Sequence, residues 1–220
     1  MPTDSLWRFR IIFGKGTEVK YISHLDLVRA WQRALRRADV ALAYSQGFSP
    51  HPRIFFASAL PVGVTGRAEM LEALLERPME APEIAARLGT QLPCGLRVVS
   101  VAEVPLAAPS LPTQVAAAEY EAQVETKIAG EQMQSRLDQL LATPSLPRHM
   151  ERDGKARDYD LRPLIQRLWL VGRRDDVYVV GMRLRADPNG TGRPDEVMAT
   201  LGFAAQVRAI ERTQLLLRSD

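Results

Sequence analysis

The order of elements predicted from the sequence points to an α+β protein made of two ferredoxin-like (βαββαβ) halves with antiparallel sheets. Three observations carry this reading. The first hundred residues run strand, helix, strand, strand, helix, strand. A proline-rich stretch, PLAAPSLP at residues 105–112, then marks a boundary between compact parts. The remainder follows a similar element order, although the halves share no repeat in the sequence itself. The predicted organisation is a first half at 1–104, a linker at 105–115 and a second half at 116–220.

Residues 7–13 alternate in polarity, with Arg8 and Arg10 on one side, which predicts a first strand with a wet, basic face. Gly14 and Gly16 break it around Lys15. Ser23 is a good N-cap, and Asp26 three residues on resembles a capping box with Asp in place of Glu or Gln. Leu27, Val28, Trp31, Leu35 and Ala38 recur at three- and four-residue steps, the period of a helix. A short strand at 40–43 leads into the loop YSQGFSPHP at 44–52. Residues 54–60 read as a buried strand that ends at Pro61 and Gly63. Residues 69–76 and 83–88 read as two helical pieces broken at Pro78, and 96–104 as an alternating strand.

In the second half, residues 120–125 predict a strand. Residues 131–141 predict a helix with Met133, Leu137, Leu140 and Leu141 on one side. A strand at 146–150 and a charged turn at 151–158 come next. Residues 161–170 read as a helix, with Pro163 in a first-turn position. That helix is additional to the plan of the first half. A strand at 177–184, the turn DPNGTG at 187–192, a short helix at 194–201 and a strand at 207–217 complete the chain.

The chain has 220 residues, enough for one large or two small domains. With 46% hydrophobic and 25% charged residues it has the make-up of an ordinary globular protein. Net charge is only +3 and pI about 9.2, so any nucleic-acid footprint must be local. The single Cys94 excludes an internal disulfide framework and fits a reducing compartment. The N-terminal residues lack a signal-peptide pattern, and no apolar run is long enough to span a bilayer. The expectation is a cytoplasmic protein of bacterial type.

Residues 20–61 are the densest in polar groups with an evident use. Arg29, Arg33, Arg36 and Arg37 follow the helical step on the face away from Leu27 and Trp31, with Lys20 ahead of them. Such a stripe is either a solvated face or a phosphate-binding surface, for which the planar fork of Arg is suited. Few acids stand at pairing distance along the helix, so the stripe keeps most of its charge. In the loop, Gly47 permits a positive φ, and Pro50 and Pro52 hold Ser49 and His51 extended. Tyr44 and Phe48 offer faces for base stacking or pack beneath the loop, the latter favoured for Phe48. Ser45 completes the loop, and Arg53 follows it as another phosphate contact.

His24, Asp26, His51 and Glu69 are metal-ligand types, yet none has a local ligand spacing, and no metal or cofactor is expected. Cys94 in LPCGL reads as a packed side chain. Ser45, Ser49 and Ser58 lack a nucleophile-elbow setting. The chain contains no phosphate-binding glycine loop and too few cysteines for an iron–sulfur cluster. ARDYDLRP at 156–163 forms a second polar cluster, whose charges either pair among themselves or extend a basic groove.

The stretches YISHLDLVRAWQRALRRA, YSQGFSPHPRIFFASALPVG, DYDLRP and GRPDEV, with Glu69, resemble a radical-SAM-linked family of unknown function. Its members are fused to, or encoded beside, radical SAM enzymes. The resemblance implies such an enzyme as partner. In element order the chain is also similar to tRNA pseudouridine synthases of the TruA type, which pair two ferredoxin-like halves around an RNA-binding cleft. Their catalytic loop reads G-R-T-D-x-G-V-H-A. With its His placed on His51, the catalytic Asp position falls on Gly47 and the Arg position on Ser45. The resemblance implies a synthase-like cleft without synthase chemistry.

The functional expectation is a non-catalytic module that binds RNA (tRNA or rRNA) or presents a substrate to a radical SAM enzyme. Arg29, Arg33, Arg36 and Arg53 would contact phosphate, and Tyr44, Ser49 and His51 would shape the site. The alternatives are an enzyme with His51 as general base, with or without a metal on His24 and Glu69, and a pure protein-interaction subunit.

Overall fold

The structure is a computed structural model that describes residues 6–152 and 155–218, with the backbone alone between 150 and 157. The charged turn predicted at 151–158 falls partly outside the described residues. The chain divides into two units, Met1–Val115 with Arg218–Asp220, and Ala116–Leu217.

The first unit runs β1 (Trp7–Lys15), α1 (His24–Arg37), β2 (Ile54–Phe56), β3 (Thr65–Leu75), α2 (Ala81–Gly89), β4 (Leu96–Val104) and a single turn, α3 (Leu111–Gln114). Within it the strands lie in the order β2-β3-β1-β4, all antiparallel. This is the ferredoxin-like arrangement. Alternate residues of the two central strands, Phe9, Ile11 and Phe13 with Leu71, Ala73 and Leu75, point to one face. Leu27, Trp31 and Leu35 of α1 and Ile84 and Leu88 of α2 cover that face. Trp31 lies 4.8 Å from Phe13, ring centre to ring centre, at a tilt of 60°. Each such side chain contributes about 1.5–3 kcal/mol on burial.

Three expectations for this unit change. Residues 69–76 are not a helix but the second half of β3. The segment EMLEALLE is rich in helix formers, yet both faces of the strand are covered, so no polar alternation shows. The strand predicted at 40–43 contributes only the isolated bridge Leu42–Leu75. The buried strand after the loop is three residues long, Ile54–Phe56. The βαββαβ order survives because β3, once recognised, takes the place left by 40–43.

The second unit runs β5 (Val115–Glu125), α4 (Gly130–Ala142), β6 (Pro147–Arg152), β7 (Lys155–Asp160), β8 (Ile165–Arg174), β9 (Val177–Asp187), β10 (Gly190–Thr191), α5 (Pro194–Thr200) and β11 (Val207–Leu217). Its main strands lie in the order β8-β9-β5-β11, which is the order of the first unit again, with β8 in the position of β2. β6 and β7 form a separate hairpin inserted between the first helix and second strand of the plan. The first unit is lengthened at the same point by residues 38–53.

The additional helix predicted at 161–170 is therefore absent. A short 3-10 turn, Arg162–Leu164, leads straight into β8. The register of β8 against β9 slips between Ile165 and Arg167 and again between Leu170 and Gly172. A bulge breaks the two-residue period of a strand. Ile165 and Leu168 are thus both buried at helical spacing while lying in a strand. Opposite them Trp169 rests on Gly181, where any β-carbon would collide with the indole. No helix among the described residues is long and apolar enough to cross a membrane.

Candidate functional site

α1 starts as its sequence dictates. The Ser23 Oγ accepts from the Asp26 backbone N–H at 3.1 Å, and the Ser23 hydroxyl donates to the Asp26 carboxylate at 2.7 Å. That hydroxyl, with the Arg29 guanidinium, holds the Asp26 carboxyl below its usual range. His24 sits edge-on to Phe56, with ring centres 5.4 Å apart. Beneath this end of the helix Lys15 is buried and its Nζ donates to the Lys20 carbonyl at 3.0 Å. Glu69 is also buried, with its side chain folded over Gly66. The Lys20 ammonium lies 4.9 Å from the centre of the Tyr21 ring.

Arg29, Arg33, Arg36 and Arg37 are all exposed on the outer side of α1. Arg29 makes a loose pair with Asp26 at 3.3 Å, and Arg37 donates to the Gln91 carbonyl. Arg33 and Arg36 take no partner among the described residues. From Arg29 to Arg36 the ridge extends about 10 Å along the helix axis.

The loop after α1 closes on itself. The Ser45 N–H donates to the His51 carbonyl at 2.9 Å, and the His51 N–H donates to the Ser45 hydroxyl at 3.0 Å. Tyr44 and Pro52 bridge just below. Gly47 adopts φ +126°. Residues 44–51 are exposed, and Phe48 is fully so, at 112% of its reference area. Phe48 therefore does not pack beneath the loop: the Ser45–His51 closure lifts residues 46–50 clear of the core, and nothing lies under the ring. Ser49 and the His51 ring likewise face outward.

Arg53 stands elsewhere. Ile54 and Phe56 of β2 pack toward the helices, so Phe55, and Arg53 before it, belong to the opposite face of the sheet. There Arg53 lines a cavity of about 400 Å³ together with Arg8, Phe55, Glu72, Leu74 and Leu106. Arg8 is buried, not wet as the alternation of residues 7–13 suggests. Its Nε and Nη2 donate to Glu72 Oε2 at 2.8 and 2.5 Å, and its Nη1 and Nη2 to the carbonyls of Ala108 and Pro109 at 2.5 and 2.7 Å. Arg10 donates from Nε and Nη2 to Glu72 Oε1 at 3.0 and 2.9 Å. The sequence signal for this triad was half visible. Alternation put Arg8 and Arg10 on one face, but Glu72 lay in a segment read as helix.

The ARDYDLRP cluster is held by backbone groups more than by its own charges. One Asp160 oxygen accepts from the N–H groups of Leu146 and Arg162 at 2.7 and 2.9 Å, which holds its carboxyl below the usual range. Arg162 donates to the carbonyls of Leu141 and Ile165. Tyr159 donates to Glu196, joining DYDLRP to GRPDEV, and burial pushes the Glu196 carboxyl up against the opposing pull of Arg148. The side chain of Arg157 lies outside the described residues. Cys94 is exposed rather than packed, because it sits at the tip of the turn before β4. Among the described residues no three His, Cys, Asp or Glu side chains come together as a metal site.

The chain resembles, over 95% of its length, a chain of a crystal structure of a Cbf5-Nop10-Gar1 complex, with a TM-score of 0.51 and 9% identity. It also resembles chains of an H/ACA RNP bound to a substrate RNA containing 2'-deoxyuridine and of the archaeal box H/ACA sRNP Nop10-Cbf5 complex, each with a TM-score of 0.49 and 10% identity. It covers 94% and 97% of its own length in these two matches. The chain spans about half the length of these solved chains, 47–49%. At such identity the first likeness speaks to the fold alone, an α+β fold with antiparallel sheet. Residues 8–194 match the family described as an uncharacterized protein conserved in bacteria (DUF2344), and the chain belongs to that family. No curated protein matches it.

Proposed function

We propose that this chain is a non-catalytic cytoplasmic module that binds tRNA or rRNA and presents it to a radical SAM enzyme. The observation that carries the proposal is the outer ridge of α1, where Arg33 and Arg36 stand exposed without an acidic partner among the described residues. Arg29 extends the ridge toward the helix start and Arg37 toward its end, and Lys20 lies in the turn before the helix. The Ser45–His51 closure presents Tyr44, Phe48 and Ser49 on a stiffened loop. An exposed aromatic ring stacks on any base, a contact worth about 1–3 kcal/mol. His51, with Gly47 and the two prolines, shapes that loop. The partner enzyme is proposed from the sequence resemblance.

Binding of tRNA and rRNA fragments across a salt series tests the RNA clause. Affinity should fall steeply with salt, as contacts to phosphate release counterions. Arg33→Glu with Arg36→Glu should weaken binding and flatten the salt slope while leaving Tm nearly unchanged, since exposed charges contribute little to stability. Phe48→Ala should weaken binding without changing the slope. Absence of binding at low salt rejects the RNA clause. Co-purification of a radical SAM enzyme that survives nuclease treatment tests the partner.

A further inference from the structure

The cavity on the face of the first unit's sheet opposite α1 and α2 carries an unbalanced charge. Two guanidinium groups, Arg8 and Arg53, line it with one carboxylate, Glu72, and a third, Arg10, pairs with that carboxylate from outside the lining. Glu72 cannot serve all three. Its Oε2 accepts twice from Arg8 and its Oε1 twice from Arg10, so every favourable direction around the carboxylate is used. Arg8 is largely committed, because four of its five N–H groups reach Glu72 and the Ala108 and Pro109 carbonyls. Arg53 is half-buried in the wall and its guanidinium has no hydrogen bond or ion pair among the described residues. Apart from Ser110, the rest of the lining is apolar: Leu6, Phe55, Leu74, Leu106, Ala108 and Leu111. Phe55 keeps 41% of its surface exposed.

We infer that this cavity binds a small organic acid, with its anionic group on the Arg53 fork and an apolar body against Phe55 and the leucines. A guanidinium fork takes a carboxylate or a phosphate monoester in two parallel hydrogen bonds. A volume of about 400 Å³ suits a small molecule rather than a macromolecular surface. The triad below supplies rigidity. Arg8 ties residues 108–109 to β1 and β3. This inference does not rest on the α1 ridge, which lies on the other side of the same sheet.

Calorimetry on the full chain with phenylacetate, phenyl phosphate and neutral phenylacetamide tests it. One of the two acids should bind and the amide should not, and which acid is preferred distinguishes carboxylate from phosphate recognition. Arg53→Gln should weaken the preferred acid roughly 10- to 100-fold, the loss of a charge-assisted pair. Phe55→Ala should weaken both acids. Because Arg53 bonds its neighbours only through its backbone, Arg53→Gln should keep the parent Tm. Failure of both acids to bind overturns the inference, as does equal binding of acid and amide. If Arg53→Gln instead lowers RNA affinity as much as the Arg33/Arg36 variant does, the cavity belongs to a nucleic-acid surface and the inference is also overturned.

Discussion

Replacing Glu72 by Gln removes one charge and almost no volume, so it isolates what the carboxylate does. Glu72 is wholly buried, and its side chain accepts four N–H groups at 2.5–3.0 Å from Arg8 and Arg10. The two guanidinium side chains are 7% and 20% exposed, so water replaces little of what the carboxylate gives them. In the Gln variant one oxygen becomes an NH2 group that faces donors. Two cations then stand side by side without an anion. Breaking a buried pair from one side costs about 3–5 kcal/mol. Urea unfolding followed by tryptophan emission should show that loss with an unchanged m-value. Replacing Arg8 and Arg10 by Met and Glu72 by Leu together should recover most of it, since apolar substitutes for a buried ion cluster often match its stability. A Glu72→Gln variant within about 1 kcal/mol of the parent would mean that these pairs are not formed in solution.

Gly181→Ala should cost about 1–3 kcal/mol by overpacking against the Trp169 indole, whereas Gly172→Ala, with open space at the β-carbon, should be neutral or slightly stabilising; thermal unfolding compares them. Ser45→Ala should speed amide exchange across residues 45–51 without moving global stability, because only the loop closure depends on that hydroxyl. Asp160 has a depressed carboxyl pKa, so its contribution to stability is complete above the unfolded value of about 3.9 and disappears as pH falls through the lower folded value. Carbon-detected titration should place its midpoint below about 3.9, and Asp160→Ala should remove that part of the acid response.

How much of this was legible in the sequence depended on whether one segment carried its own evidence. α1 did: cap, period and polar face all lie within fifteen residues, and the helix begins at the predicted cap. α5 did as well, with Pro194 at its first turn. β3 did not, because the partners that justify a carboxylate in a covered strand are Arg8 and Arg10, more than sixty residues away. β8 did not, because two slips in register gave a strand the spacing of a helix. The positive φ of Gly47 was readable from the sequence. The exposure of Phe48 was not readable, since nothing local says whether a ring has a floor. The cavity at Arg53 was out of reach for the same reason as β3.

Both units are lengthened between their first helix and second strand, by residues 38–53 in one and by the β6–β7 hairpin in the other. In each unit the second strand pairs with the third alone. Doubling such a connection costs only about 0.6 kcal/mol in closure entropy. Ala38, Val40 and Leu42 belong to the core, so at the first junction it is the exposed part, residues 44–51, that is a port at which a new segment can be spliced. A lineage could rewrite what the protein touches by trading inserts there, and a designer could do the same by transplanting the Ser45–His51 closure onto the second junction.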